Sequence, residues 1–361
     1  MRVPLLVLNY NGRRLLRECL PSLLAAAAVS RHDCRVVVVD NASTDDSLAF
    51  LATQFPEVEA LSQPNRGLCS YNRVLADLGD SLAILLNNDV KLDEGCIDPL
   101  VEPLLPGGPR VPTAGGRSLG ECFMAAPLCW KFDGATYEGQ KTSIAWHGGL
   151  VRATSHFPGH EAGIHRAGLT ASAGAVMAVD VAKFLVLGGF DPLYLPGTLE
   201  DLDLAYRGFL AGYHVQHVPR AVAYHKGQAT FGPAFGEAGC GQLALRNTLL
   251  FQWKNLRRPL HRARMAAGIP LRLLADAVRA ARQPRDRRWA FWRALRAAWK
   301  LRGQMRSAAF QPADAPEAER DFFRRFHPHA INGSRNRLAA QRGQPRAIRS
   351  GEPVAVEASR G

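Results

Sequence analysis

The stretch VVVVDNASTD at residues 36–45 decides the fold. Its four valines form an unbroken apolar run, which is typical of a strand that is buried on both faces of a parallel sheet. The run ends abruptly at Asp40, and the chain turns polar. Residues 43–46 (Ser-Thr-Asp-Asp) are suited to begin a helix as a capping box, and apolar residues continue at helical spacing as far as Phe55. The stretch therefore predicts a strand and then a helix over residues 43–55.

The same alternation extends to both sides of this stretch. Residues 3–8 and 82–86 are further short apolar runs, and residues 13–28 carry leucines at helical spacing. The order strand, helix, strand, helix, strand favours a doubly wound, mostly parallel α/β sheet. Further along the chain, we expect a buried strand over residues 171–179, a helix from about residue 200 to 211 and a strand over residues 213–224.

Composition limits the class of protein. With 361 residues, of which 47% are hydrophobic, the chain is neither disordered nor collagen-like. Its 7 cysteines are odd in number and lack metal-binding spacing, which indicates a reducing compartment. The N-terminus lacks the apolar core of a signal peptide, and no window has 18 uninterrupted apolar residues, so we expect a cytoplasmic protein.

The net charge of +13 is unevenly distributed. Residues 1–245 carry 19 Lys and Arg against 24 Asp and Glu, whereas residues 246–361 carry 26 against 8. We therefore expect a catalytic domain over residues 1–245, a basic helical extension over residues 246–335 and a disordered tail over residues 336–361. Since the basic residues are confined to the extension and accompany no aromatic RNA-binding motif, we expect no nucleic-acid partner.

Within the extension, a basic amphipathic helix places Phe291, Trp292, Leu295 and Trp299 on one face. Such a helix can lie at an anionic membrane surface, which would make residues 246–302 a peripheral membrane anchor. The alternative is a helical subdomain that packs on the catalytic domain while its arginines remain in solvent.

Polar side chains follow three predicted strands at the carboxyl end. Asn9 and Tyr10 follow the first strand, Asp40 the second, and Asp89 the third. These ends meet at one edge of an open parallel sheet, where ligands bind. Each group alone also fits a turn, a helix cap or a loop. Together they predict a binding edge, at which Asp40 could accept the imide N–H of a uracil or thymine base and Tyr10 could stack on that base.

Two more groups carry candidate chemistry. Asn65, Gly67 and Asn72 supply amides and flexible backbone near a helix start, a setting that suits phosphates. A glycine-rich dinucleotide or triphosphate loop is absent, which disfavours a dinucleotide-dependent oxidoreductase and a P-loop nucleotidase. Asp89 is a candidate ligand of Mg²⁺ or Mn²⁺, and residues 200–203 hold three carboxylates within four positions, more than a helix dipole alone would explain.

A family resemblance joins these residues. The chain resembles family 2 glycosyltransferases over about residues 2–255, most closely bacterial rhamnosyltransferase-like members. The motifs that carry the resemblance, in order, are NYNG (9–12), VVVVDNASTD (36–45), NRGLCSYN (65–72), LLNND (85–89), GGFD (188–191), LEDLDL (199–204) and YHKG (224–227). The segment RNTLLFQWKNL (246–256) also resembles the region that follows the catalytic domain in some members.

The resemblance implies a GT-A fold, a nucleoside-diphosphate sugar donor, a divalent cation (Mg²⁺ or Mn²⁺) and inversion at the anomeric carbon. It makes Asp201, paired with Glu200, the catalytic base, and Asp89 and His225 the metal-binding residues. The usual metal motif has two carboxylates flanking one residue, whereas this chain has Asn87 at the first position. The residues expected to bind the donor are Asn9, Tyr10, Asp40, Asn41, Asn65, Gly67, Asn72, Asn87 and Asn88.

The expected activity is transfer of a sugar, with rhamnose as the candidate, to a saccharide or polyprenyl-linked acceptor in cell-surface polysaccharide synthesis. A sugar nucleotidyltransferase is one alternative, but its glycine-rich N-terminal loop is missing from residues 8–17. A decayed, non-catalytic membrane-binding or nucleic-acid-binding module is another, and it would predict loss of Asp89 or of the Glu200–Asp201 pair. The sequence leaves the nucleotide, the sugar and the acceptor open.

Overall fold

A computed structural model describes residues 1–108, 119–227, 229, 231–282, 288–305, 314–333 and 336. The strands within these ranges are β1 (Arg2–Asn9), β2 (Asp33–Asp40), β3 (Glu59–Ser62), β4 (Leu82–Asn87), β5 (Val90–Leu92), β6 (Cys122–Trp130), β7 (Tyr137–Gly139), β8 (Ser143–His147), β9 (Leu150–Thr154), β10 (Gly168–Leu169), β11 (Val176–Asp180) and β12 (His214–His225). The α-helices are α1 (Arg13–Val29), α2 (Ser47–Gln54), α3 (Ser70–Leu78), α4 (Ile97–Val101), α5 (Val181–Val186), α6 (Glu200–Leu210), α7 (Phe231–Asn255), α8 (Pro259–Ala280), α9 (Ala290–Leu301) and α10 (Ala315–Arg325).

Ten of these strands form one mixed sheet, in the order β10-β12-β6-β11-β4-β1-β2-β3, with β5 beside β12 and β7 beside β6. The N-terminal part is parallel: β1 pairs with β2 and β4, and β2 pairs with β3. Beyond β4 the sheet is mixed: β11 runs antiparallel to both β4 and β6, and β12 runs parallel to β6. The predicted doubly wound α/β sheet is confirmed. Strands β8 and β9 form a separate hairpin.

The valines of residues 36–39 divide between the two faces of the sheet, as a doubly covered strand requires. Val36 and Val38 lie in the core that includes α1, α2 and α4. Val37 and Val39 lie in the opposite core, with α3, α5 and α6. The predicted burial of this strand on both faces is confirmed, and its carboxyl end is held rigidly at the sheet edge.

Two predicted boundaries are wrong. The strand expected over residues 171–179 begins only at Val176, since residues 171–175 form a loop that passes beside the end of β4. The helix expected from residue 43 begins at Ser47, and the predicted capping box does not form. Ser43 instead donates its hydroxyl hydrogen to Asp40, with an O···O distance of 2.6 Å. Tertiary hydrogen bonds at the sheet edge thus replace the local helix cap.

The C-terminal helices share a core with the sheet domain. The predicted boundary between residues 245 and 246 lies inside α7, which is kinked at Gly236. Leu249 and Phe251 of α7 pack in one cluster with Phe209 of α6 and Phe322 of α10. The helical extension is therefore attached to the sheet domain through buried contacts. The tail predicted over residues 336–361 lies outside the described residues, apart from Asn336.

The apolar face of α9 is already occupied. Phe291, Ala294 and Ala298 are buried in the core shared with α7, whereas Trp292 and Trp299 are 49% and 56% exposed. Of the face predicted to meet a membrane, Phe291 and the half-buried Leu295 pack against protein, whereas Trp292 and Trp299 stay exposed at its border. In the part of the chain that the structure describes, every helix is too short or too polar to cross a bilayer.

Candidate active site at the carboxyl edge of the sheet

The loops after β1 and β2 are bound to each other through their side chains. Asn9 donates to Asp40 over 3.0 Å and accepts from Asn88 over 2.9 Å, which ties the ends of β1, β2 and β4 together. Asp40 also accepts from the backbone N–H of Ser43 over 2.9 Å. Asn9 and Asp40 are completely buried. In this arrangement neither side chain can touch a base directly, and both instead hold the loops in place.

A second connection joins this edge to residues 65–70. Asn41 donates to the carbonyl of Gly67 over 3.2 Å and accepts from the Ser70 hydroxyl over 2.5 Å. Gly67 has a φ of +51°, and a Cβ there would lie 3.0 Å from the Pro196 carbonyl oxygen. The segment that begins α3 is thus packed directly against the loop that leads into α6.

Among the residues predicted to contact the donor, Tyr10 and Asn65 face solvent at this edge, and Tyr10 is 40% exposed. Asn72 lies elsewhere. It donates to the Phe190 carbonyl over 2.8 Å and accepts from the Phe190 N–H over 2.9 Å. The expectation that Asn72 lies near the diphosphate is therefore corrected: its amide fastens residues 188–191 to α3 through both its oxygen and its nitrogen.

Asp89 and His225 meet at the predicted metal position. An oxygen of Asp89 lies 3.2 Å from His225 Nε2, and the other ring nitrogen lies 3.4 Å from Glu138. Burial alone would lower the pKa of His225, but the hydrogen bonds and charges of Asp89 and Glu138 outweigh it and raise the pKa to about 9. Glu138, on β7, has no recognisable sequence signal, and only the pairing of β7 with β6 brings it here.

The side chains at this position supply some, but not all, of the ligands that a hard divalent cation needs. Asp89 supplies a carboxylate and His225 an imidazole, while Mg²⁺ or Mn²⁺ commonly completes its shell with diphosphate oxygens and water. Among the residues with assigned positions, no three His, Cys, Asp or Glu side chains form a complete metal site. Because a metal binds the neutral imidazole, cation binding would also release a proton from the charged His225 ring.

Asp201 is held beside the end of β4 by backbone contacts. Its Oδ2 accepts from the N–H of Gly174 over 3.0 Å. The next residue, Ala175, accepts at its carbonyl from the N–H of Asn87 over 3.1 Å. Two hydrogen bonds and one peptide unit therefore connect Asp201 to the strand end that carries Asp89. The structure brings the predicted base and the predicted metal ligand to the same edge.

The three carboxylates at the start of α6 have different environments. Burial, reinforced by the charge of Asp201, raises the pKa of Glu200 to about 8, and its Oε2 is buried without a partner among the residues described. Burial also raises the pKa of Asp201. Burial would raise the pKa of Asp203 as well, but Arg207 and Lys254 hold it far below the usual range. Asp203 is consequently a buried ion-pair partner.

The loop before α6 is held by α7. Thr198 and Leu199 both have positive φ, 77° and 68°, which is strained for residues with a side chain. Asn247 is completely buried and donates to the carbonyls of Tyr194, Gly197 and Thr198 over 2.7–2.9 Å. Asn247 thus fixes the conformation that presents Glu200 and Asp201. Sequence reasoning missed it, although it lies in the quoted segment 246–256.

Comparison with known families agrees with this geometry. Residues 5–139 match the model of glycosyl transferase family 2. The N-terminal part of the chain is therefore similar to family 2 glycosyltransferases. The match includes the loops after β1, β2 and β4 together with Glu138, whereas Glu200, Asp201 and His225 lie beyond it. No curated protein sequence matches the chain significantly.

A likeness in fold to solved structures covers a larger part of the chain. GalNAc-T7 with UDP, GalNAc and Mn²⁺ is 15% identical, with a TM-score of 0.52, over 84% of this chain and 58% of that one. This likeness identifies the GT-A fold, as predicted, and this chain spans little more than half of that structure. A mannosyltransferase from Pyrobaculum calidifontis with GDP-Man and Mn²⁺ is 16% identical, with a TM-score of 0.47, over 83% and 86% of the two chains.

Proposed function

We propose that the chain is an inverting, metal-dependent glycosyltransferase that moves a sugar from a nucleoside diphosphate to a hydroxyl of a saccharide or lipid-linked saccharide. The candidate sugar is rhamnose and the candidate setting is cell-surface polysaccharide synthesis. The observation that supports the proposal is the connection of Asp201 to the β4 end through residues 174–175, from which Asp201 would act as the base next to a cation on Asp89. A nucleotidyltransferase would need a triphosphate loop, which residues 8–17 do not provide.

The donor would lie along the loops after β1 and β2. Tyr10, exposed at this edge, would stack on the base. Asn9, Asp40, Asn41 and Asn88 would act by fixing the loop conformation, because their side chains are buried and hydrogen-bonded to one another and to neighbouring loops. Asn65, Gly67 and Asn87 would lie closer to the diphosphate.

Asp89 and His225 would hold Mg²⁺ or Mn²⁺. The cation would offset negative charge on the departing nucleoside diphosphate. The structure of GalNAc-T7, which shares the fold, contains UDP and Mn²⁺. Glu138 would orient the His225 ring from behind, as carboxylates commonly do for metal-binding histidines.

Asp201 would accept the proton of the acceptor hydroxyl as its oxygen forms the new bond to the anomeric carbon. The bond from that carbon to the diphosphate breaks at the same time, so one displacement inverts the configuration. The raised pKa of Asp201 makes it a better base than an exposed carboxylate. Glu200, with a pKa raised to about 8, would stay protonated at neutral pH and limit repulsion of Asp201 by a second negative charge.

The acceptor would approach through a cleft next to α6. This cleft has a volume of about 640 Å³ and lies between the β8–β9 hairpin, α7, α8 and α9. Leu199, which immediately precedes the Glu200–Asp201 pair, forms part of its wall, and Arg152, Arg272 and Arg279 are also on the wall. Three arginines in a cleft whose wall includes Leu199 suit a hydroxyl acceptor that carries a phosphate.

The test is a donor screen with purified protein. UDP-, dTDP- and GDP-sugars are offered with Mn²⁺ or Mg²⁺, and nucleoside diphosphate release and thermal shift are measured for each. We expect a selective response to one nucleotide, with release lost in Asp89→Ala. Leu185→Gln, an exposed substitution on α5, is the matched control and should behave as the wild type. If no nucleotide binds with or without metal, the chain is a non-catalytic module and the proposal fails.

A further inference from the structure

The solvent-facing side of α8 is an apolar stripe. Positions 260, 263, 267, 271, 274, 278 and 281 recur every three or four residues and therefore share one side of the helix. All of them are Leu, Ala or Val, and all are exposed in the described structure. Leu271, Leu274 and Val278 are 65%, 63% and 65% exposed. The exposed side of a surface helix usually carries polar residues instead.

Basic residues border this stripe, and acids do not. Arg264 and Arg282 are exposed at one border, at about 40° from Leu260 and Val278 when each residue advances the helix by about 100°. Asp276 is the single acid in the sequence of α8, and it is buried, where it accepts from the backbone N–H of Trp292 over 3.0 Å. Between residues 256 and 305, fourteen Lys and Arg accompany two Asp. This combination of apolar and basic side chains is complementary to a partner that is both apolar and anionic.

Exposed tryptophans lie on α9, which packs on α8. Trp292 is 49% exposed, and its position at the α8–α9 contact follows from the hydrogen bond to Asp276. Trp289, the residue before α9, is 45% exposed. Tryptophan is enriched at the boundary between lipid headgroups and acyl chains, because its ring is apolar and its N–H is polar.

We propose that the outer stripe of α8 docks on an anionic lipid bilayer, with α8 lying parallel to the surface. In this arrangement α8 inserts and α9 contributes only its exposed tryptophans, since Phe291, Leu295 and Ala298 of α9 lie in the core shared with α7. The opposite side of α8, through Arg272 and Arg279, lines the cleft beside Leu199. Docking would therefore hold this cleft about one helix diameter, roughly 10 Å, above the membrane surface, where the head group of a lipid-linked acceptor could reach it.

The test is vesicle flotation of the full chain with phosphatidylcholine vesicles, with and without phosphatidylglycerol. We expect binding that strengthens when phosphatidylglycerol is present. Leu271→Gln/Leu274→Gln should reduce the partition coefficient at least about tenfold on both vesicles, because two exposed leucines lose their apolar contact. Both positions are exposed, so the fold should be kept, and unchanged circular dichroism and melting temperature verify this.

Two further variants separate the contributions. Val29→Gln/Val186→Gln changes two side chains that are 60% and 71% exposed on α1 and α5, and it should bind vesicles as the wild type does. Arg264→Gln/Arg282→Gln should lose only the gain from phosphatidylglycerol. Wild-type binding that is absent, or that is equal in the leucine double variant, overturns the proposal.

A second copy of the chain is the competing occupant of the stripe. Sedimentation velocity of the wild type and the leucine double variant distinguishes it. A wild-type dimer that the double variant abolishes, with no vesicle binding by either protein, would assign the stripe to self-association and overturn the proposal. The idea that docking presents the acceptor rests on the proposed function. Vesicle binding does not depend on it, because donor binding and nucleotide release are measured without lipid, so the two proposals can fail separately.

Discussion

The two ends of the active-site edge differ in how their polar groups are satisfied. At the end formed by the loops after β1 and β2, Asn9, Asp40 and Asn41 form hydrogen bonds to one another's loops and are almost completely buried. At the acid end, Glu200 keeps a buried oxygen without a partner in the described structure, and Asp201 has a raised pKa. The comparison indicates that the first end is a scaffold, whereas the second holds the groups that can exchange a proton.

The same contrast occurs within one turn of α6. Asp203 accepts from Lys254, Arg207 and Asn255 over 2.7–2.9 Å, so its charge is fully compensated. Glu200, three residues earlier, pairs with no cation among the residues that the structure describes. Position in a motif thus does not decide the role of a carboxylate. The groups that surround it do.

The largest effect is expected at Asp201. Asp201→Asn keeps the size of the side chain and can still accept from Gly174, but it cannot take a proton. We expect transfer to fall by about 10² to 10⁴, while the Kd for the donor nucleotide stays near that of the wild type. Turnover and calorimetric titration measure the two quantities. Wild-type turnover would remove Asp201 from the role of base.

Asp203→Asn should reveal the structural acid. Removal of this charge leaves the buried Arg207 without a carboxylate and leaves Lys254 with Asp191 alone, at a cost of about 3–5 kcal/mol in the free energy of unfolding at pH 7. The native pKa of Asp203 lies below the unfolded value of about 3.9, so its stabilisation is present above that pH and is lost as the pH falls further. Urea denaturation should show the gap between wild type and variant narrowing below about pH 4. A gap that is independent of pH would contradict this ion-pair role.

Glu138→Gln tests whether Glu138 on β7 supports cation binding by Asp89 and His225. Loss of the carboxylate behind His225 should weaken Mn²⁺ binding by about 10- to 100-fold without preventing it. Calorimetry with Mn²⁺ and the cognate nucleotide measures this. Glu161→Gln, which alters an exposed acid beside His160, is the control and should leave Mn²⁺ affinity unchanged. Equal affinities in all three proteins would exclude Glu138 from the site.

Asn247→Leu tests the connection between α7 and the acid end. The variant removes the amide that holds the carbonyls of residues 194–198, and we expect a loss of about 1–3 kcal/mol in the free energy of unfolding. We also expect a kcat reduced about tenfold with little change in donor KM, because Glu200 and Asp201 lose their fixed presentation. Thr248→Val, whose hydroxyl bonds only within α7, is the control. A fall in stability with kcat unchanged would limit Asn247 to a folding role.

The smallest effect is expected at Tyr10. Tyr10→Ala should weaken nucleotide binding by about three- to tenfold through lost stacking. Because the side chain is 40% exposed, the free energy of unfolding should change by less than about 0.5 kcal/mol. Tyr10→Phe keeps the ring and should bind as the wild type. Unchanged affinity in Tyr10→Ala would place the base elsewhere along the edge.

Local sequence patterns predicted the sheet and its edge. The valine run at residues 36–39 had to be buried on both faces, since four consecutive apolar residues leave no polar side for solvent. The parallel order followed from alternating strand and helix patterns, and it brought Asn9, Asp40 and Asp89 to one edge. The basic composition of the C-terminal region was also explicit in the sequence, and it predicted a helical extension.

Only the tertiary structure decided which polar residues face a ligand and which hold the loops. Asp40 and Asn72 carry the same chemistry whether exposed or buried, so their spacing could not reveal that neighbouring loops already use their hydrogen bonds. Glu138 and Asn247 reach the site through strand pairing and helix packing over long sequence distances. The apolar faces of α8 and α9 look alike in sequence, and packing buried one against α7 and left the other in solvent, because a helix can bury only the face that meets a neighbour.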